Sequence, residues 1–311
     1  MVGERTRSGR DTAAAIVDVR GLTKRYGRVA ALQDVSFTVP AGAVTGFLGA
    51  NGSGKTTTLR ILLGLVAPTS GSALIHGRPY REMSDPARTV GAVLEPTAHP
   101  ARTGLDHLRC LALALGLPRR SRRHAVDEVL GTVELTAAAD RPVGAYSLGM
   151  RGRLAIACAL LGDPELLVLD EPANGLDPEG IRWLRRFLRD WAAQGRSALV
   201  SSHVLAEVAQ TVDHVVIIDR GRVVLAAEAA AVGAGRVEVR TPQADQLAQL
   251  LGGAGVVRTG HDSLRLPYGS AERVGQLCAL HGIPLVELHT TGPDLERAFF
   301  ELTGRAAGGA A

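Results

Sequence analysis

Val44-Thr45-Gly46-Phe47-Leu48-Gly49-Ala50-Asn51-Gly52-Ser53-Gly54-Lys55-Thr56 is the stretch that decides how this chain is read. Residues 44–48 form a short β-type run that leads straight into a glycine-rich turn. Gly49 to Thr56 then matches G-x-x-x-x-G-K-[S/T], and the residues after it place Leu59, Leu62 and Leu63 at helical spacing. Strand, glycine turn and helix are the setting this pattern requires. The glycines let the backbone curl until its N–H groups point inward at a phosphate, and the helix N-terminus adds partial positive charge. Lys55 is placed to reach the β- and γ-phosphates of a nucleoside triphosphate, and the Thr56 hydroxyl to ligate Mg²⁺. The chain has only two lysines, Lys24 and Lys55, so a chance match is a poor explanation.

Composition narrows the surroundings of this motif. The 311 residues suit two domains at roughly 150 residues each. Hydrophobic residues make up 46% and aromatics 4%, so the core must come mainly from Leu, Val, Ile and Ala. The net charge of +4 is carried by arginines scattered along the chain, apart from Arg119, Arg120, Arg122 and Arg123. No aromatics interleave that run, which reads as a solvated loop or helix end rather than a nucleic-acid surface, with contact with membrane lipid headgroups as the minority reading. Cys110, Cys158 and Cys278 are far apart and offer neither a disulfide framework nor zinc spacing, which fits a reducing cytosol. The histidines show no metal pattern. Residues 1–14 are polar and Arg-rich without the apolar stretch of a secretory signal. No apolar run approaches the roughly 20 residues of a membrane-spanning helix.

Working outward, β-type runs are expected at 16–19 and 35–39, and Pro68-Thr69-Ser70-Gly71 breaks the helix after the glycine turn. Residues from about 100 to 163 read as helical, with Thr103 and Asp106 forming an N-terminal cap ahead of Leu108, Leu111 and Leu113. Buried-strand patterns return at 166–169, 197–201 and 215–218. Between the first two, Trp183, Leu184, Phe187, Leu188 and Trp191 share one face of an amphipathic helix and belong to a core. Strands alternating with helices predict an α/β fold with a parallel sheet covered on both faces. Residues 226–235 are rich in Ala and Gly and read as a linker. Beyond it the order is strand (237–239), helix (244–251), strand (256–258), strand (264–266), helix (271–281), strand (285–288). That is the split β-α-β-β-α-β pattern of a small α+β, ferredoxin-like accessory domain. A last helix from Pro293 would set Leu295, Phe299 and Leu302 on one side. The expected domains are a disordered tail (1–14), a nucleotide-binding domain (15–228), a linker (229–235), an accessory domain (236–304) and a tail (305–311).

The glycine turn alone does not separate a kinase, a GTPase and a transporter ATPase. Later residues do, and over 15 to about 225 they resemble, in correct order, the ATP-binding cassette (ABC) ATPases. Tyr146-Ser147-Leu148-Gly149-Met150 resembles the LSGGQ-type signature, and Leu166-Leu167-Val168-Leu169-Asp170-Glu171-Pro172 resembles a Walker B strand end. Gly175-Leu176-Asp177 is similar to the D-loop, and His203, after Ser201-Ser202, is similar to the switch histidine. Tyr26, in Lys24-Arg25-Tyr26-Gly27, resembles the aromatic that stacks on adenine. The Ser-Leu-Gly-Met signature and the run Asp294-Leu295-Glu296-Arg297-Ala298-Phe299-Phe300-Glu301-Leu302 both resemble the bacitracin- and daunorubicin-type drug-efflux branch.

This resemblance implies a P-loop ABC-ATPase domain with a helical subdomain at about 100–163, using ATP and Mg²⁺. Gly49, Ala50, Asn51, Gly52, Ser53, Gly54, Lys55, Thr56 and Thr57 would bind the phosphates. Thr56 and Asp170 would hold the metal. Glu171 is the implied general base for the attacking water, and His203 the implied sensor of the γ-phosphate. Ser147 would cap the helix that follows it and, with Gly149, offer that N-terminus to ATP held by a second copy, with Asp177 at the same junction. Three positions depart from the pattern. Glu95, in Val93-Leu94-Glu95-Pro96, stands where most members place the Q-loop glutamine; it keeps an oxygen ligand for Mg²⁺ but adds a charge. Leu148 and Met150 replace Gly and Gln, and Met150 loses a polar contact.

The implied partners are a head-to-tail second copy and a separate integral-membrane permease, reached through a groove near residues 95–108. The implied place is the cytoplasmic face of the membrane, the implied cargo an exported drug-like or amphiphilic molecule, and no nucleic acid is expected. A soluble ABC ATPase acting on ribosomes or DNA is the first rival, but one cradle and one signature without heptads or Cys pairs argue against it. A non-hydrolysing regulatory or drug-sequestering module is the second, and an intact Lys55 and Glu171 argue against that.

Overall fold

The computed structural model describes residues 15–95, 98–204, 211–230, 236–252, 256–267 and 271–291. The chain divides between Ala226 and Ala227 into two compact units. The first unit begins β1 (Ala15–Tyr26), β2 (Val29–Pro40), β3 (Val44–Leu48), α1 (Lys55–Leu62), β4 (Ser70–Ile75), α2 (Pro86–Thr89) and β5 (Val90–Val93). Three longer helices follow, α3 (Gly104–Ala114), α4 (Arg119–Thr132) and α5 (Leu148–Leu160). It closes with β6 (Leu166–Leu169), α6 (Pro178–Ala193), β7 (Ser197–Ser202), β8 (His214–Asp219) and β9 (Arg222–Glu228).

Two sheets carry these strands. A three-stranded antiparallel sheet has the order β2-β1-β4. In β2, Leu32, Val35, Phe37 and Val39 are buried, the period-two signature of a half-covered sheet. The second sheet has the order β5-β6-β7-β3-β8-β9, and the pairs from β5 through β8 are parallel. Its inner strands β3, β6 and β7 are buried at every position, as a sheet covered on both faces demands. Phe37 stacks on Phe47 at 5.2 Å and so ties the two sheets into one core.

Helix ends follow local chemistry. Thr103 Oγ1 accepts from the Asp106 N–H at 3.0 Å and starts α3. Ser147 Oγ accepts from the Met150 N–H at 3.2 Å and starts α5. In α6 the expected face is the buried one, with Trp183, Leu184, Phe187, Leu188 and Trp191 all inside. Gly91 lets α5 approach β5, because a Cβ there would lie 2.3 Å from the Ala159 carbonyl oxygen.

The second unit runs β10 (Arg236–Arg240), α7 (Ala244–Leu250), β11 (Val257–Arg258), β12 (Ser263–Pro267), α8 (Ala271–His281) and β13 (Glu287–Thr291). Its strands lie in the order β11-β12-β10-β13, with every pair antiparallel. Val237, Val239, Leu247, Leu264, Leu266, Val274 and Cys278 form a core of its own.

Several expectations shift. The strand expected at 285–288 is Glu287–Thr291, because pairing with β10 sets its register. Ser70 and Gly71, expected in a turn, open β4. The apparent linker begins later than residue 226, since β9 continues to Glu228 beside β8. β1 and β2 are each 12 residues, well beyond their apolar centres, because cross-strand bonds extend them. The terminal segments 1–14 and 305–311 and the helix expected from Pro293 lie outside the described residues.

Candidate nucleotide site

The cradle is built at the C-terminal end of β3. A Cβ on Gly49 would sit 2.4 Å from the Ile218 carbonyl oxygen and 2.5 Å from Ser53 Oγ, so only glycine fits. Gly52 and Gly54 take φ of 78° and 112°, left-handed geometry that bends the backbone into α1. Gly54 is the N-cap without a side-chain bond, and no acidic residue stands in the first turn. The leading N–H groups of α1 therefore keep their positive field for an anion. Ser53 Oγ is buried with no hydrogen-bond partner among the described residues. Lys55, only 5% exposed, donates from Nζ to the Gly49 carbonyl at 2.6 Å and the Ala50 carbonyl at 3.3 Å. Asn51 is exposed at the turn, and Thr57 is half-buried on α1. A buried cation, an orphaned hydroxyl and an uncapped helix start together fit a polyphosphate.

Two carboxylates meet this cradle from β6. Asp170 Oδ2 accepts from Thr56 Oγ1 at 2.7 Å. Glu171, at φ 50°, places Oε1 3.0 Å from Lys55 Nζ and Oε2 2.7 Å from His203 Nδ1. The His203 backbone N–H also donates to Glu171 Oε2 at 3.2 Å. Burial pushes the Glu171 carboxyl up, but the bonds and charges of His203 and Lys55 outweigh burial and hold it below its ordinary value. Glu171 is thus an ionised acceptor near neutral pH, the state a base needs. Asp170, Glu171 and His203 sit at the carboxyl ends of neighbouring parallel strands, where open α/β sheets place their ligands.

The remaining candidates fall into separate places. Tyr26 ends β1, is 51% exposed, and has Lys24 Nζ 4.8 Å from its ring centroid. Ser147, Gly149 and Asp177 line one groove of about 440 Å³, and Ser147 is exposed there. Asp177 caps α6 by accepting from the Gly180 N–H at 2.7 Å. No hydrogen bond or ion pair joins this groove to Lys55, Thr56 or Asp170 among the described residues. Glu95 stands apart from that pair: its carboxylate meets Arg60 Nη2 at 3.1 Å on the exposed surface, and among the described residues no hydrogen bond joins it to Thr56 or Asp170. A neighbouring guanidinium on α1, invisible in the linear motif, captures the charge that glutamate adds.

One residue of the site was missed in the sequence. Ser201, fully buried near the end of β7, donates its hydroxyl to Asp170 Oδ1 and accepts the Glu171 N–H at 2.8 Å. The available signal was two hydroxyls closing an otherwise apolar strand, Ser-Ala-Leu-Val-Ser-Ser.

A parallel sheet whose glycine turn, buried lysine and paired carboxylates converge at strand ends defines an ATP-binding α/β domain of the P-loop class. A family model described as ABC transporter matches residues 32–174. The bacitracin transport ATP-binding protein BcrA of Bacillus licheniformis is 42% identical over 212 residues, which is 67% of this chain and 68% of that protein. The Nod factor export ATP-binding protein I of Cupriavidus metallidurans is 33% identical over 298 residues, covering 94% of this chain and 98% of that one. The solved structure of cbiO1 from Clostridium perfringens, part of the ABC transporter complex cbiONQ, superposes with a TM-score of 0.63 at 28% identity over 70% of this chain and 89% of that one. The chain belongs to the ABC transporter family as an ATP-binding, ATP-hydrolysing subunit. Residues 235–296 match a second model, a domain of unknown function.

Proposed function

We propose that Glu171 is the general base of ATP hydrolysis, that Thr56 and Asp170 hold Mg²⁺, and that two copies close head to tail around two nucleotides. The observation that carries this reading is the meeting of Lys55, Glu171 and His203 through bonds of 3.0 and 2.7 Å beside the glycine cradle. Mg²⁺ favours oxygen ligands, and the Thr56 hydroxyl and the Asp170 carboxylate, 2.7 Å apart, would supply two of them. When bound, that ion neutralises phosphate charge and polarises phosphoryl oxygens.

The chain's own residues do the rest. The cradle N–H groups and Lys55 hold the β- and γ-phosphates; as Lys55 turns to the phosphate, it releases Glu171 to orient water and take its proton. His203, anchored on Glu171, donates to the γ-phosphate and registers its departure. Tyr26 stacks on adenine from the exposed end of β1. Ser147 and Gly149 present the N-terminus of α5 to the γ-phosphate on the other copy, which fits an exposed Ser147 and a half-buried Gly149 set apart from Lys55 in their own chain. Asp177 sits at that junction. Leu148, 56% exposed, and Met150 make the contact more apolar than a Gly-Gln pair would.

No helix among the described residues is long and apolar enough to cross a membrane. The subunit therefore drives a separate permease from the cytoplasmic face. Glu95, at the Q-loop position, would offer Mg²⁺ a further oxygen on leaving Arg60, beside the groove that faces the permease. BcrA is named for bacitracin transport and the other relative for Nod factor export, and this likeness supports efflux of a drug-like or amphiphilic molecule. Residues 236–304 form an accessory domain that holds the dimer or regulates the permease. Glu171→Gln is the test: steady-state turnover should fall by at least about a hundredfold while ATP binding persists and gel filtration shows an ATP-dependent dimer. Wild-type turnover in that variant would sink the assignment.

A further inference from the structure

We infer that Ser201 is a positioning residue that sets both carboxylates of the site at once, a reading that rests on the roles proposed for Asp170 and Glu171. Its hydroxyl has one proton to give and lone pairs to accept. The proton goes to Asp170 Oδ1, and a lone pair takes the Glu171 N–H at 2.8 Å. The other Asp170 oxygen, Oδ2, is thereby left facing Thr56 Oγ1 at 2.7 Å. The same hydroxyl pins the Glu171 backbone in its left-handed φ of 50°, and that backbone aims the Glu171 side chain at Lys55 and His203. The two following residues complete the arrangement. The Ser202 carbonyl accepts the Gly49 N–H at 3.2 Å, and the His203 N–H reaches Glu171 Oε2 at 3.2 Å. The last turn of β7 therefore touches the cradle, the metal carboxylate and the base through three consecutive residues.

Ser201 is fully buried, so bulk water does not reach its hydroxyl. Removing it leaves a carboxylate oxygen and an N–H unsatisfied, and both groups are freed to turn. The effect is specific. The phosphate cradle keeps its own bonds, so ATP binding without metal should not change. What weakens is the pairing of Asp170 Oδ2 with Thr56, and with it the gain in ATP affinity that Mg²⁺ provides.

The experiment is a comparison of full-length wild type, Ser201→Ala and Ser201→Cys in two measurements. The first is the ATP dissociation constant by calorimetry, with Mg²⁺ and with EDTA. The second is steady-state kcat and KM at saturating Mg²⁺. Ser201→Ala should bind ATP in EDTA within about twofold of wild type, lose most of the Mg²⁺-dependent tightening, and lose about tenfold to a hundredfold in kcat. A lowered kcat with the Mg²⁺ gain intact would overturn the inference, as would wild-type values in both. Should the alanine variant not fold, Ser201→Cys keeps most of the volume with a weak donor, and it must show the same two losses; wild-type behaviour there overturns the inference equally. Glu171→Gln run in parallel separates the failures. If it still turns over, the base assignment is wrong; if it is dead while both Ser201 variants behave as wild type, only the role given to Ser201 falls.

Discussion

Lys55 is shared between two tasks at the scale of single side chains. Its Nζ lies 2.6 Å from the Gly49 carbonyl and 3.0 Å from Glu171, so an incoming phosphate competes with a carboxylate for the same ammonium. Lys55→Ala should raise the ATP dissociation constant by at least about tenfold, read by calorimetry, because a charge-assisted bond to phosphate is worth about 1.5–3 kcal/mol. Unchanged affinity would show that the cradle N–H groups suffice. His107 is a second informative residue. Burial, and then the nearby Arg102 charge, hold its imidazole below the ordinary value, and its Nδ1 is buried without a partner. A histidine depressed in the folded state binds its proton better when unfolded. Its contribution is therefore intact above the ordinary range near pH 6.5 and is lost as pH falls through it. His107→Leu should narrow the drop in Tm between pH 7.5 and 5.5, and an equal drop in both proteins would refute that.

Two helices begin with the same device and differ in purpose, which becomes visible only at the scale of elements. Thr103 caps α3 by a bond of 3.0 Å, and Ser147 caps α5 by a bond of 3.2 Å. Alanine at either position should cost about 1 kcal/mol of stability by chemical denaturation. Ser147→Ala should in addition lower ATPase activity several-fold, while Thr103→Ala should leave it within about twofold, because the start of α5 is the part proposed to meet phosphate. Equal activity in the two variants would remove Ser147 from the site. Strands show the complementary lesson. β6 and the body of β7 were legible as continuous apolar runs, whereas β9 alternates exposed and half-buried residues and blends into the Ala-rich stretch after it. β5 has only four residues and exists because β6 pairs with it.

At the scale of the whole molecule, each unit closes its own core, one around Phe37, Phe47, Leu59 and Leu166, the other around Val237, Leu247, Leu264 and Val274. A chain truncated after residue 228 should therefore remain folded and bind ATP within about threefold of the full chain, checked by circular dichroism and calorimetry. Loss of folding would show that the first core depends on the second unit. Gel filtration of the same truncation with ATP tests the dimer-holding role proposed for residues 236–304, since unchanged assembly would leave regulation of the permease as the alternative.

The linear order of residues determined the chemistry of the cradle. A glycine turn fixed to a strand and a helix can do little else, so Gly49 through Thr56 were identifiable by local pattern, whereas Asp170, Glu171 and His203 were implied only by the resemblance to the cassette family. Sequence also determined the α/β layering and the face of α6, because periodicity of apolar residues is a local property; on α3 only Leu108 of the three expected leucines is buried, and Leu113 is exposed. What only the tertiary structure decided were contacts between segments far apart in the chain. Arg60 pairs with Glu95, Lys55 and His203 share Glu171, and Ser201 holds Asp170 and Glu171 from a neighbouring strand. Such pairings depend on which strands lie side by side and on which groups are denied water, and neither is encoded in any short stretch of sequence.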